Sequence, residues 1–353
     1  MYPIRVLFLF VVSLASLVAD AAFNDAWATR VEGLYESTQQ VSDQQAEERT
    51  RALRAALAEV FVRVSGRSDA PRDENLIAAL NNAVNYALQY RYERVSGADG
   101  GQALVMRIRF DPTSVDALLR SSSVPVWGRE RPATLVWLAV DDGGRRVVSA
   151  EEEQGLAKAL RQVAERRGLP VLMPLMDLED RRSVSFSDLW GGFSDRVGAA
   201  SQRYATEQVL LVRLSRSASG GWQGRFSRKA AGQQQVWEQA GGTAEDALSR
   251  GLEVFADDLA AEYATVSSGI AFVTLGVDGV TNLRDYGRVM AYLSGLSAVN
   301  GVGLTQVGPD AVLLSVQVRG DAPLLFKVIG LGNVLAAATE ADSGVPRFSL
   351  LPY

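Results

Sequence analysis

The apolar positions of the chain change period several times, and each change marks an element. Ala46, Thr50, Leu53, Leu57, Val60, Phe61 and Val64 recur at three- and four-residue intervals, predicting a helix with one buried face that ends at Gly66. A strand around Val31–Ser37 precedes it, and Ser42 with Gln45 has the spacing of a capping box. Leu76, Ile77, Leu80, Val84, Ala87 and Leu88 mark a second helix. Strands near Tyr90–Val95 and Ala103–Phe110 follow, joined through the turn Gly97–Gly101. In the second strand Leu104, Met106, Ile108 and Phe110 share one face, and Arg107 and Arg109 the other. A short helix opens at Asp111-Pro112, which completes the order βααββα.

Further on, Thr134 to Val140 is a continuous apolar run, the mark of a strand covered on both faces. Ser149 and Glu152 have capping-box spacing before Leu156, Ala159, Leu160 and Val163. Leu169–Leu175 predicts a strand, Leu189–Tyr204 a helix and Gln208–Leu214 another strand. Trp222, Gly224 and Phe226 alternate with polar residues as one side of a hairpin whose partner lies around Gln235–Gln239. A long helix carries Leu248, Leu252, Phe255, Leu259 and Tyr263. The last stretch reads strand (Ile270–Val277), helix (Tyr286–Leu296), hairpin (Gly303–Val307 and Ala311–Val318), helix after Pro323 and strand (Arg347–Leu351). That order, βαββαβ, is ferredoxin-like.

The predicted fold is therefore mixed α/β (α+β): three small modules, each a sheet packed with helices. The expected boundaries are 22–123, 134–266 and 267–353, with 124–133 as a linker, since the stretch Ser121–Pro132 holds three serines, two prolines and a glycine. Ahead of them, Arg5, the apolar run Val6–Val18 and the small residues around Asp20 have the three parts of a secretory signal. That run is too short for a membrane span, which needs roughly 20 apolar residues. The expectation is removal of residues 1–21 and a periplasmic, soluble product with no membrane span.

Composition narrows the chemistry. The 353 residues include no cysteine and no histidine, so thiolate and imidazole catalysis and disulfides are excluded. The three lysines, Lys158, Lys229 and Lys327, lie in neither an S-x-x-K nor a G-K context. Charge is spread evenly around a net of −5, with no basic stretch suited to a phosphate backbone, which disfavours nucleic acid. No cofactor motif is complete: Gly301-Val302-Gly303 and Gly330-Leu331-Gly332 lack the third glycine of a dinucleotide fingerprint, and no calcium loop occurs.

Three stretches resemble an uncharacterised family of exported proteins of Gram-negative bacteria, known only as a domain of unknown function. They are Phe61–Arg67, Val124–Pro132 leading into Thr134–Leu138, and the βαββ run from Ile270 to Val318. The resemblance implies a periplasmic address and no activity. More loosely, the middle segment is similar in topology to the amino-terminal α/β domain of TolB.

The leading candidate site is Trp127 with Arg129 and Arg131, because Trp and Arg dominate binding hot spots and a linker would present them to a partner. The alternative is that Trp127 packs into a domain junction and Arg131 pairs with an acid. Arg67 suits a helix end electrostatically, and Arg181-Arg182 would meet an anionic lipid or glycan or simply face solvent. Among acids, Asp141-Asp142 end a buried strand, Asp257-Asp258 lie on a polar helix face, and Glu151–Glu153 suit a first helical turn. The expected function is a non-enzymatic binding or scaffolding component of the cell envelope, with another envelope protein as partner. The alternative is a carboxylate-dependent hydrolase of envelope glycans, which needs two acids facing each other roughly 5–10 Å apart.

Overall fold

The computed structural model describes residues 29–352 except 97–100, 153, 193–194, 231, 266–268 and 339–343. The expected signal segment and most of the turn Gly97–Gly101 lie outside the described residues. The fold is mixed α+β, built on three sheets of three, six and five strands and one two-stranded ribbon.

The ribbon pairs β1 (Thr29–Arg30) with β5 (Glu130–Arg131). The first sheet has the order β2-β4-β3, from β2 (Glu36–Gln40), β3 (Ala87–Ser96) and β4 (Gln102–Phe110). The helices are α1 (Ala46–Ser65), α2 (Glu74–Asn81) and α3 (Pro112–Ser121). The α1 face foreseen from periodicity is buried: Leu53, Leu57, Val60, Phe61 and Val64 pack with Met106, Ile108 and Phe110 of β4. The opposite face of the sheet carries Arg107 and Arg109, paired with Glu93 and Glu36.

Three local expectations are corrected. The strand expected around Val31–Ser37 is β2, at Glu36–Gln40. Ser42 does not cap α1, whose N-cap is Gln45 with no side-chain bond; Glu48 reaches back to the Ser42 N–H instead. The second helix stops at Asn81, a 3-10 turn spans Ala83–Tyr86, and Ile77, Val84 and Leu88 stay exposed. Asn81 and Asn82 are weak helix formers, and Ala87 is already paired with Phe110 of β4.

The central sheet comprises β6 (Thr134–Asp141), β7 (Arg145–Val147), β8 (Val171–Leu172), β9 (Gln208–Arg216), β10 (Trp222–Ala230) and β11 (Gln233–Gly241). Its path is β11-β10-β9-β6-β7, with β8 also on β6, and β6 runs parallel to both β8 and β9. Helix α4 (Gly155–Arg167) packs on one face; α5 (Leu178–Ser183), α6 (Phe186–Gly191) and α7 (Asp195–Gln202) lie on the other, and α8 (Ala244–Tyr263) lies beside α4. Burial of Leu135 through Val140 confirms a strand covered on both sides. The helix expected over Leu189–Tyr204 is two, because Gly191-Gly192 breaks it; Gly192 has a φ of 108°. Ser149 and Glu152 form half a box ahead of α4, whose N-cap is Gln154.

The last sheet comprises β12 (Ile270–Asp278), β13 (Val299–Val307), β14 (Ala311–Arg319), β15 (Leu335–Ala337) and β16 (Arg347–Leu350), with α9 (Leu283–Gly295) and α10 (Ala322–Gly330). The order is β13-β14-β12-β16-β15. It keeps the βαββαβ succession with one addition. The strand after α10, β15, sits at the outer edge, and β16 turns back to insert between it and β12, parallel to β12. Among the described residues no helix is long and apolar enough to cross a membrane.

Candidate functional site

The stretch Val124–Ala133 is a strap held by α1, by the residue that follows α8 and by the loop before β13, rather than an exposed linker. Val126 exchanges backbone hydrogen bonds with Thr265 after α8, and the Trp127 N–H donates to the Val64 carbonyl near the end of α1. The Arg129 N–H donates to Ser297 Oγ, and Glu130 Oε2 accepts from the Ser297 N–H, both before β13.

This placement corrects the leading candidate. Trp127 is 1% exposed and Arg131 0%, so neither is offered to an outside partner. Among the described residues Arg131 pairs with no acid. Its guanidinium donates to the carbonyls of Arg63, Trp127, Gly128, Arg167 and Gly168. Arg63 lies in the last turn of α1, and Arg167 and Gly168 end α4, so the negative poles of two helix dipoles converge on one buried cation. Burial, with the nearby Arg63 charge, pushes the Arg131 pKa down to about 9, so the group stays protonated at neutral pH.

A second buried arginine fastens the first and central sheets. Arg167 donates to the Gly66 carbonyl at 2.6 Å and to Asp257 at 2.6 Å, and it also pairs with Glu253. Asp257 in turn accepts from the N–H and hydroxyl of Ser68. Asp257 is thus a fastening residue. Gly66, the left-handed C-cap of α1 with φ 72°, is required here, since a Cβ would collide with Ala260 of α8 and meet Trp127 at 2.8 Å.

Where the strap, α3, α8, β14 and α10 meet, a cavity of about 230 Å³ opens. Val126, Trp127, Ala298, Leu324 and Val328 give it apolar walls, and Tyr35, Asp116, Arg120, Arg129, Glu130, Tyr263 and Arg319 supply polar groups. Asp116 is already engaged: the Tyr35 hydroxyl donates to it at 2.7 Å and Arg120 at 2.8 Å. Burial, then the Asp116 charge, raises the Tyr35 pKa far above the usual phenol range, so it remains a donor. Burial likewise raises Tyr263. Among the described residues the Arg129 guanidinium reaches one acid, the exposed Glu32, at 3.6 Å. The Arg319 guanidinium has no partner among the described residues. The indole N–H of Trp127 is buried without an acceptor among the described residues.

Of the three expected site residues, the cavity gathers Trp127 and Arg129, while Arg131 lies behind Trp127 as its support. Sequence reading missed Arg319, Tyr35, Asp116 and Tyr263. The one available signal was Arg319 at a strand end, just before Gly320-Asp321. The other candidates lie elsewhere. Asp141 pairs with Arg145, and Asp142 receives the Gly144 N–H in an exposed turn. Arg181 and Arg182 face solvent on α5, Arg67 pairs with Asp69 rather than with carbonyls at the end of α1, and Glu153 is outside the described residues. Among the described residues no three acids come together as a metal site would require.

The geometry defines an α+β protein in which a small, partly cationic cavity lies where elements of its three modules meet. Residues 28–128 match the family described as Domain of unknown function (DUF8605), a span covering the first sheet, its helices and the strap as far as Gly128. No curated protein matches the chain.

Proposed function

We propose that the chain is an exported, non-enzymatic binding component of the cell envelope, and that it recognises its partner through the junction cavity. One observation carries this reading: helices α3, α8 and α10 and strand β14, drawn from all three modules, converge on a hollow where a guanidinium, that of Arg319, has no acid of its own among the described residues. Sites of this kind, apolar with a few placed polar groups, are the usual form of ligand pockets. The signal-like pattern of residues 1–21 and the lack of histidine and cysteine support export and binding over catalysis. The hydrolase alternative has less in its favour, because Asp116 and Glu130 both already accept hydrogen bonds from the chain.

The test is recovery of partners from envelope extracts by the wild-type protein and by Ala298→Trp, which fills the hollow. Loss of a partner with Ala298→Trp, in a protein with unchanged circular dichroism, is expected. Equal recovery by both proteins would rule the cavity out. Trp127→Ala and Arg131→Ala are unsuitable here, since both open the core. Export is tested separately by fractionation: an intact chain in the cytosol with residues 1–21 attached contradicts it.

A further inference from the structure

Resting on that reading, we infer that the junction cavity takes a carboxylate carried on a short apolar group, with Arg319 and Arg129 as its receptors. Charge sets the ligand's sign and size. Three arginines and two carboxylates line the hollow, leaving one positive charge. Arg120 is neutralised by Asp116, and Arg129 is only loosely paired, with the exposed Glu32 at 3.6 Å, so the surplus falls first on Arg319 and then on Arg129. The two stand on one wall: the Arg129 N–H donates to Ser297 Oγ at 3.2 Å, and the Arg319 N–H donates to the adjacent Ala298 carbonyl at 2.8 Å. A single negative charge is matched, whereas a dianion would face Glu130 and Asp116 with too few free donors. Guanidinium groups favour planar carboxylates, which accept two parallel N–H bonds.

The remaining lining sets the tail. Val126, Ala298, Leu324 and Val328 are aliphatic and offer a tail nothing to hydrogen-bond. At about 230 Å³ the hollow falls below the roughly 300–1,000 Å³ of pockets for drug-sized ligands, so the occupant is small. Two sources share this chemistry: a free short-chain carboxylic acid, and the C-terminal residue of a partner polypeptide, a recognised mode of peptide capture.

The test is calorimetric titration of the purified full chain with sodium hexanoate, hexan-1-ol, inorganic phosphate, N-acetyl-alanyl-leucine and its C-terminal amide. Hexanoate or the free-acid dipeptide should bind saturably, one per chain. Hexanol, the amide and phosphate should bind about tenfold more weakly or worse, as loss of a charge-assisted hydrogen bond implies. Arg319→Gln should weaken the carboxylate by a similar factor, with Arg319→Lys recovering part of it. Tight binding of hexanoate alone assigns a free acid, and of the dipeptide alone a chain terminus. Equal binding of hexanol or phosphate overturns the inference, and so does an undiminished affinity in Arg319→Gln. If Ala298→Trp loses its envelope partner while no carboxylate binds the wild type, the ligand assignment fails and the cavity reading stands.

Discussion

The guanidinium carbon of Arg131 lies 4.2 Å from the centroid of the Trp127 ring, and the pair is closed to solvent. Cation–π attraction strengthens when both groups are desolvated. With five backbone carbonyls completing its shell, the buried charge is held without a carboxylate. Burying a cation this way orients α1 and α4 together, because each contributes its terminal carbonyls to the same fork.

That fork makes lysine a poor replacement. An ammonium has three donors and no plane, so Arg131→Lys leaves buried carbonyls unpaired at about 1–3 kcal/mol each. A clear fall in the urea midpoint is expected. A midpoint equal to wild type would show that the carbonyls find other donors. Trp127→Ala should cost about 3–5 kcal/mol in the same measurement, as large aromatic truncations do.

Gly251 on α8 lies directly under Phe226. A Cβ there would enter the ring, which is itself stacked on Trp237 with centroids 5.6 Å apart. Gly251→Ala should therefore destabilise by about 1–3 kcal/mol through overpacking, although alanine is the better helix former. A gain in thermal stability would contradict the contact.

Asp257 joins Ser68, Arg167 and α8. Asp257→Asn keeps the shape but removes the charge, and weakening of charge-assisted bonds should cost about 1.5–3 kcal/mol. Limited proteolysis should then cut faster around Gly66–Asp69. An unchanged cleavage pattern would show that Arg131 and the Arg167 bond to the Gly66 carbonyl hold the junction without Asp257.

Acid should weaken the central sheet in a defined window. The Arg203 hydrogen bond is the main cause that holds Asp177 at about 2, below its ordinary 3.8. A carboxylate with a depressed folded pKa adds stability above the unfolded value, and that contribution is lost as pH falls from about 4 through 2. Arg203→Gln should flatten this part of the stability-versus-pH curve, read from urea midpoints at pH 7, 4 and 2.5. A parallel curve for the variant would remove the pair from the account.

Periodicity carried the architecture a long way. The α1 stripe from Leu53 to Val64, the doubly covered β6 and the hairpin of β13 and β14 all follow from apolar spacing, since burial on one face or two leaves a direct mark. Boundaries were harder, as Asn81-Asn82 and Gly191-Gly192 stop helices whose apolar pattern continues past them. The cavity was less legible still. Trp127 and Arg129 were singled out, but for a surface role, because composition reads proline and serine as exposure. Tyr35, Asp116, Tyr263 and Arg319 come from four distant places, and no local pattern records that they meet.

The inserted position of β16 has a consequence for how the chain is made. Until Arg347–Leu350 leave the ribosome, β12 keeps an open edge and β15 has no neighbour to pair with. The last sheet is thus completed by its final arrival, and a stalled or clipped chain would display an unpaired strand edge, a ready template for aggregation.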